Sequence, residues 1–431
     1  MKHILLPVLA LLSISAYAQH ERCGTPQAIQ YQDQLTPGYA KSVLETFKAA
    51  KANQNKSNHE YTIPVVVHVV YNTPAQNLPD SVVLNQIEVL NEDYNRENAD
   101  TVNLRSEFLP IAGDPKIRFV LAQIDENGQP TTGITRTSTT TTSFGSLALL
   151  GGDFSDLEMV KSTAGGGHDP WDQSRYLNIW ICNMAIDFFG TQVPAVLGYA
   201  TPPPGLPNWP GGTTNGLSDG VVLQFQAVGR NNPNPLDTGG GTIDVEGRTG
   251  THEVGHYLGL RHIWGDGDCT EEDGVDDTPN ADSESQQDCD PTKNTCTDNI
   301  NGVDLPDMIE NYMDYSAETC QNSFTQGQVD LMHGVLDGPR FDLVNGNPAA
   351  IAEKEIITWE VYPNPTDGLV QVKSDEIVTA IEVFNPQGER IFITTLNAQN
   401  ETVDLSNFAS GVYIVRISNG AAFAHKRIVL Q

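Results

Sequence analysis

The sequence predicts a mixed α/β (α+β) domain, built on a twisted mixed sheet and a helix with two histidines, followed by a small all-β sandwich. Three observations carry this prediction. Between residues 60 and 345, β-branched runs of strand length alternate with amphipathic stretches, the pattern of strands interleaved with helices. His252 and His256 stand four apart in THEVGHYLGL, so a helix there puts both on one face. After about residue 345 the texture changes to short alternating runs separated by NPTDG, NPQGE, ASG and SNG, the turn spacing of a sandwich.

The chain has 431 residues and a formal net charge of −31. That balance excludes generic phosphate attraction, so nucleic acid is not an expected partner, and anionic membrane surfaces are disfavoured. Residues 1–18 have Lys2 and His3, an apolar run and then Ala16-Tyr17-Ala18, which is the layout of a cleaved signal peptide. No later run approaches the ~20 apolar residues of a membrane span, so the mature chain is expected to be exported without a transmembrane segment. Residues 19–58 are polar, with a helical piece near SVLETFKAAKANQ, and read as a pro-segment or arm.

The domain proper is expected over 59–344. TIPVVVHVVY reads as a buried strand, with His68 as a sheet histidine. Asp80 or Ser81 can cap a helix whose Val83, Ile87, Leu90 and Tyr94 share a face. KIRFVLAQID and YLNIWIC are further strands, with weaker ones at VLGYA and GVVLQFQAV. A linker is expected at 345–355 and the all-β domain at 356–431.

From Asp266 to Glu310 there are 15 acidic residues and one basic residue, Lys293. Such a segment repels itself open unless cations or cross-links hold it, and Ca²⁺ takes six to eight oxygen ligands of the kind it offers. Cys269, Cys289, Cys296 and Cys320 cluster in or just beyond it, which suggests two local disulfides. Spacing alone leaves three pairings open. Cys182, in an apolar strand, reads as a small buried hydrophobe.

The chemistry concentrates in HEVGHYLGLRH. His252 and His256 on one helical face can grip a Zn²⁺ ion, and Glu253 lies beside them within reach of a water on that metal. Gly259 permits a turn that brings His262 back as a third ligand. The fourth position is then left for water, as in a catalytic site. Three neutral histidines leave the zinc its charge, which acidifies the water. Glu253 is then placed to take its proton and pass it to a leaving amine.

This motif resembles that of the metzincin metallopeptidases. Within that clan IPVVVHVVY, YLNIWICN, GRTGTHEVGHYLGLRH, CTEEDGVDDTP and NYMDYS are most similar to the pappalysins, in their ulilysin-like or cytophagalysin branch. The resemblance implies a zinc endopeptidase acting on proteins or peptides. It makes Met313 the residue of a methionine turn below the metal and Tyr315 an aid to the tetrahedral intermediate. It pairs Cys269 with Cys296 and Cys289 with Cys320. It places structural calcium at Asp273, Asp277 and Thr278 with backbone near Val275. Cys23 resembles the pro-segment cysteine that occupies the open zinc position and keeps a zymogen latent, with Lys51 and Lys56 as candidate processing points. Some relatives favour a basic residue after the scissile bond through an acid near the last cysteine. Gln321 maps to that position, which argues against the preference here.

The final domain resembles the C-terminal sorting domain of the type IX secretion system, on VYPNPTDG, SGVYIVRI and the closing KRIVLQ. That implies type IX machinery as a partner and export to the medium or the outer surface. An edge strand near Leu197–Thr201 is expected to take substrate by β-augmentation. The rival reading is a surface adhesin whose metal is structural only.

Overall fold

The computed structural model describes residues 22–52, 59–188, 191–194, 196–203, 218–237, 241–345, 359–385, 390–418 and 423–431. The expected signal peptide, Lys56 and nearly all of the linker lie outside them. The chain divides into two compact units, Met1–Asn347 and Pro348–Gln431.

The first unit opens with two helices, α1 (Thr25–Leu35) and α2 (Tyr39–Ala52). They are not a loose arm. Cys23, Ala28, Tyr39, Val43 and Ala50 are all buried, so this segment folds onto the rest of the unit. β1 (Tyr61–Tyr71) follows and is the hub of the sheet. Its first half pairs with β2 (Ile117–Leu121) and its second half with β3 (Ile134–Ser138), both parallel. Its other side pairs in parallel with β4 (Leu177–Cys182). Beyond β4 lies the parallel strand β6 (Val221–Gln224). The edge is β5 (Gly198–Ala200), which runs antiparallel to β6. His68 is a sheet residue, hydrogen-bonded to Thr135 and Asn178.

Helix α3 (Asp80–Asp93) follows β1. Its N-cap is Pro79, and no side chain caps it, so neither Asp80 nor Ser81 does so. Burial explains why the helix forms without that bond. Val83, Ile87 and Leu90 are buried, each contributing about 1.5–3 kcal/mol, against about 1 kcal/mol for a cap. They meet Val65, Val67 and Val69 of β1 in one core, which also includes Val254 and Met313. The opposite face of the sheet buries Trp180, Tyr199 and Val222 against Phe154 and Ala28. Two further helices frame the site: α4 (Arg248–Tyr257), buried along its whole length, and α5 (Gln326–Leu336), which has a Thr325/Gln328 capping box.

The second unit is all-β. Its strands β7 (Trp359–Tyr362), β8 (Leu369–Phe384), β9 (Arg390–Asp404), β10 (Gly411–Ser418) and β11 (Phe423–Leu430) form one antiparallel sheet. Register shifts within β8 bend it, which lets one sheet gather Val370, Val383, Val415 and Ile428 into its own core.

Candidate active site

Helix α4 crosses beneath the edge strand, and the chain reverses just past its end at Gly259, whose φ of +96° belongs to glycine. The reversal carries His262 back toward the helix. The Nε2 atoms of His252, His256 and His262 converge to 3.1–3.2 Å from one another. Their Nδ1 atoms face outward, to Tyr312 O at 2.7 Å, to Leu260 O at 2.8 Å and to the Asp266 carboxylate. A backbone carbonyl only accepts, so the Nδ1 atoms of His252 and His256 carry the protons. Their Nε2 lone pairs then point at one another inside a buried site. That arrangement is repulsive without a cation, and it is the donor set of zinc.

Electrostatics agree with this. Burial, then the neighbouring histidines, pushes His252 well below its usual range, and burial takes His256 down to about 3. Both are therefore neutral, as ligands must be. Trp264 stacks on His262, with centroids 4.3 Å apart, and fixes its ring plane.

Met313 lies directly under the helix. A Cβ on Gly255 would sit 2.5 Å from Met313 Sδ, so only glycine admits this contact. Tyr315 flanks His252 and His262 edge-on or tilted. Glu253 is fully buried, and burial raises its carboxyl to about 8.

The segment before α1 fills the cleft. Cys23 Sγ and one nitrogen from each of the three histidines lie within 4.8 Å of one another. The thiol also donates to Glu253 Oε2 at 3.4 Å, and Thr25 Oγ1 donates to the same oxygen at 3.1 Å. The backbone pairs in parallel with the edge strand: Gly24 N donates to Gly198 O at 2.8 Å, and Leu197 N to Arg22 O at 2.9 Å. Tyr315 OH is held between Cys23 N and Cys23 O. Burial, then the Glu253 charge, pushes the Cys23 thiol up.

Arg22 was not legible as a site residue. Its guanidinium is buried against Glu318 Oε1 at 2.8 Å and Ser316 O at 2.6 Å. Glu318 also accepts from Glu246 N, Arg248 N and Thr249 N, where the first turn of α4 and the residues before it present free amides. Gln321 is elsewhere: its amide donates inward to Asp314 O and Ser316 O. The acid that meets Arg22 is therefore Glu318, three residues before Gln321. Counting from the last cysteine could not reveal which side chain turns inward.

The acidic segment is closed by Cys269–Cys296 and Cys289–Cys320. Within it, Asp273 Oδ2 and Asp277 Oδ1 are buried without a hydrogen-bond partner, beside the buried Thr278 and Val275. Burial raises Asp273 to about 8. Lys51, at the end of α2, donates to Gly274 O and Asp276 of the same loop.

A mixed sheet with an antiparallel edge, a buried histidine triad on a helix and its return, and a methionine beneath them define a metzincin-type zinc metallopeptidase. Residues 239–337 match the peptidase family described by pregnancy-associated plasma protein-A, and residues 360–431 match the secretion system C-terminal sorting domain. Mature mirolysin of Tannerella forsythia, solved with a cleaved peptide, is 40% identical, with a TM-score of 0.56 over 67% of this chain and 97% of that one. A promirolysin mutant from the same organism is 36% identical, with a TM-score of 0.62 over 75% and 97%. An extracellular metalloprotease of Arthroderma benhamiae is 28% identical across 81% of this chain and 94% of that protein. The chain belongs to the pappalysin family. It is a secreted zinc endopeptidase of zymogen type, exported by its sorting tail to the medium or the outer surface, and not an adhesin. Among the described residues no helix is long and apolar enough to cross a membrane.

Proposed function

We propose that His252, His256 and His262 hold the zinc, that Cys23 is its fourth ligand in the latent form, and that Glu253 is the general base of peptide hydrolysis. The convergence of three buried Nε2 atoms whose Nδ1 atoms already have partners carries this reading. Zinc bound there would supply the charge that polarises a peptide carbonyl and acidifies a water. A bound cation also favours the thiolate of Cys23 despite its burial. Removing the pro-segment frees three groups at once: the ligand position, the Glu253 carboxylate and the Tyr315 hydroxyl. Glu253 then accepts a proton from the attacking water and returns it to the departing amine nitrogen as the C–N bond breaks. Tyr315 donates to the carbonyl oxygen as negative charge builds on it.

The parallel run of residues 22–24 along the edge strand supports a further assignment. An inhibitory segment parallel to β5 lies opposite to a substrate that pairs antiparallel with it, so Arg22 occupies ground on the leaving-group side. Glu318 would hold a lysine or arginine of the substrate there, in place of Arg22. The unpartnered oxygens of Asp273 and Asp277 support calcium in the loop with Thr278 and the Val275 backbone. By this reading residues 1–18 are a signal peptide, 19–58 the pro-segment, 59–344 the peptidase and 356–431 the tail that engages the type IX machinery, after a linker at 345–355.

The test is hydrolysis of a diverse peptide library by processed enzyme, with and without a zinc chelator. Glu253→Ala should lower kcat by about 100- to 10,000-fold with the fold intact. Unchanged cleavage in the variant would remove Glu253 from the reaction.

A further inference from the structure

The three histidines differ in what orients them. The acceptors for His256 and His262, Leu260 O and Asp266, are each four residues away on the same stretch of chain. The acceptor for His252 is Tyr312 O, 60 residues away on the segment that carries Met313. The His252 ring is therefore aimed only as well as that segment docks against α4.

Asp93, the last residue of α3, joins the two. Its side chain is fully buried. One carboxylate oxygen accepts from Tyr312 OH at 2.8 Å and the other from Thr251 Oγ1 at 2.7 Å. Thr251 immediately precedes His252, and its carbonyl is held by Tyr94 OH at 2.9 Å. Arg248 approaches Asp93 at 3.5 Å, with its guanidinium 5.5 Å from the Tyr312 ring. The contacts close a loop: Thr251 to Asp93, Asp93 to Tyr312, Tyr312 O to His252, and back along the chain. A buried carboxylate is expensive, and an apolar residue of like size would fill the space more cheaply.

We propose that Asp93 is a positioning residue of the metal centre, which sets zinc affinity by locking the Tyr312 carbonyl against the His252 ring. The proposal rests on the zinc assignment above. Groups that orient a ligand in this way typically change metal affinity 10- to 100-fold.

The experiment uses the full-length proenzyme. Zinc affinity is measured by competition with a chromophoric chelator, and ligand geometry from the visible spectrum of the cobalt-substituted protein. Wild type is compared with Asp93→Asn, with Tyr312→Phe, and with Ile63→Val, a core change on β1 outside this loop of hydrogen bonds. Asp93→Asn and Tyr312→Phe should each weaken zinc about tenfold or more and alter the cobalt spectrum, and combining them should add little. Ile63→Val should lose stability without either effect. Folded variants with wild-type affinity and spectrum would overturn the proposal, as would an equal loss of affinity in Ile63→Val. If Asp93→Asn fails to fold, Tyr312→Phe, which removes one hydroxyl, decides alone. Wild-type protein that takes up no zinc would overturn the zinc assignment itself, and this proposal with it.

Discussion

Cys23 and Arg22 are adjacent residues with separable tasks. Cys23 faces the three histidines and Glu253, whereas Arg22 reaches Glu318. Cys23→Ala should therefore leave the pro-segment docked through Arg22 and its two helices but free the metal's fourth position. Unprocessed Cys23→Ala protein is expected to cleave a small fluorogenic peptide faster than unprocessed wild type; equal rates would dismiss the cysteine as the latch. Glu318→Gln removes the charge that faces Arg22 while keeping its shape. In the processed enzyme it should raise KM for peptides with lysine or arginine after the scissile bond, by about tenfold or more, since truncating a buried charge pair costs about 2–5 kcal/mol. Peptides with an apolar residue there should change little. A cut-site profile unchanged by the substitution would return the specificity question to other side chains.

At the scale of elements, the site depends on how closely α4 meets the methionine turn. Gly255 is the point of contact, and a methyl group there would overlap Met313 Sδ. Gly255→Ala should cost about 1–3 kcal/mol through overpacking, read as a lower urea midpoint, and should displace Met313 from beneath the histidines. Unaltered stability would mean that Met313 has room to withdraw. The edge strand β5 is just three residues long, yet it takes backbone bonds from the pro-segment on its open side. A short edge of this kind offers pairing to a peptide while giving little surface for uncontrolled association.

At the scale of the whole molecule, the proposed calcium site couples cation binding to pH. Asp273 has a folded-state value near 8 against an ordinary 3.8. A carboxyl raised in this way binds a proton more tightly folded than unfolded. Without calcium, stability contributed by the protonated form is present at low pH and lost as pH rises from about 4 to about 8. Calcium held by Asp273, as proposed above, would compete with that proton. The rise in Tm on adding calcium should therefore be larger at pH 8 than at pH 5, measured by calorimetry on zinc-loaded protein. Equal increments at both values would argue against Asp273 as a ligand.

Some of this was written in local sequence. The β-branched run of β1 declares a buried strand wherever it folds, because each residue needs cover on both faces. The His252/His256 spacing declares a shared helical face, and Gly259 a reversal, because both follow from backbone geometry within a few residues. Other features were settled only by folding. Gln321 and Glu318 are three residues apart and both polar; which one meets Arg22 depends on how an irregular segment turns, and no periodicity encodes that. Residues 19–58 are polar enough to read as a pro-segment or arm, and the described part of them, 22–52, packs into a cleft formed elsewhere in the chain. Asp93 lies 159 residues before His252 with no motif around it. Its link to His252 exists because three segments, each folded by its own local rules, bring one buried carboxylate against two hydroxyls.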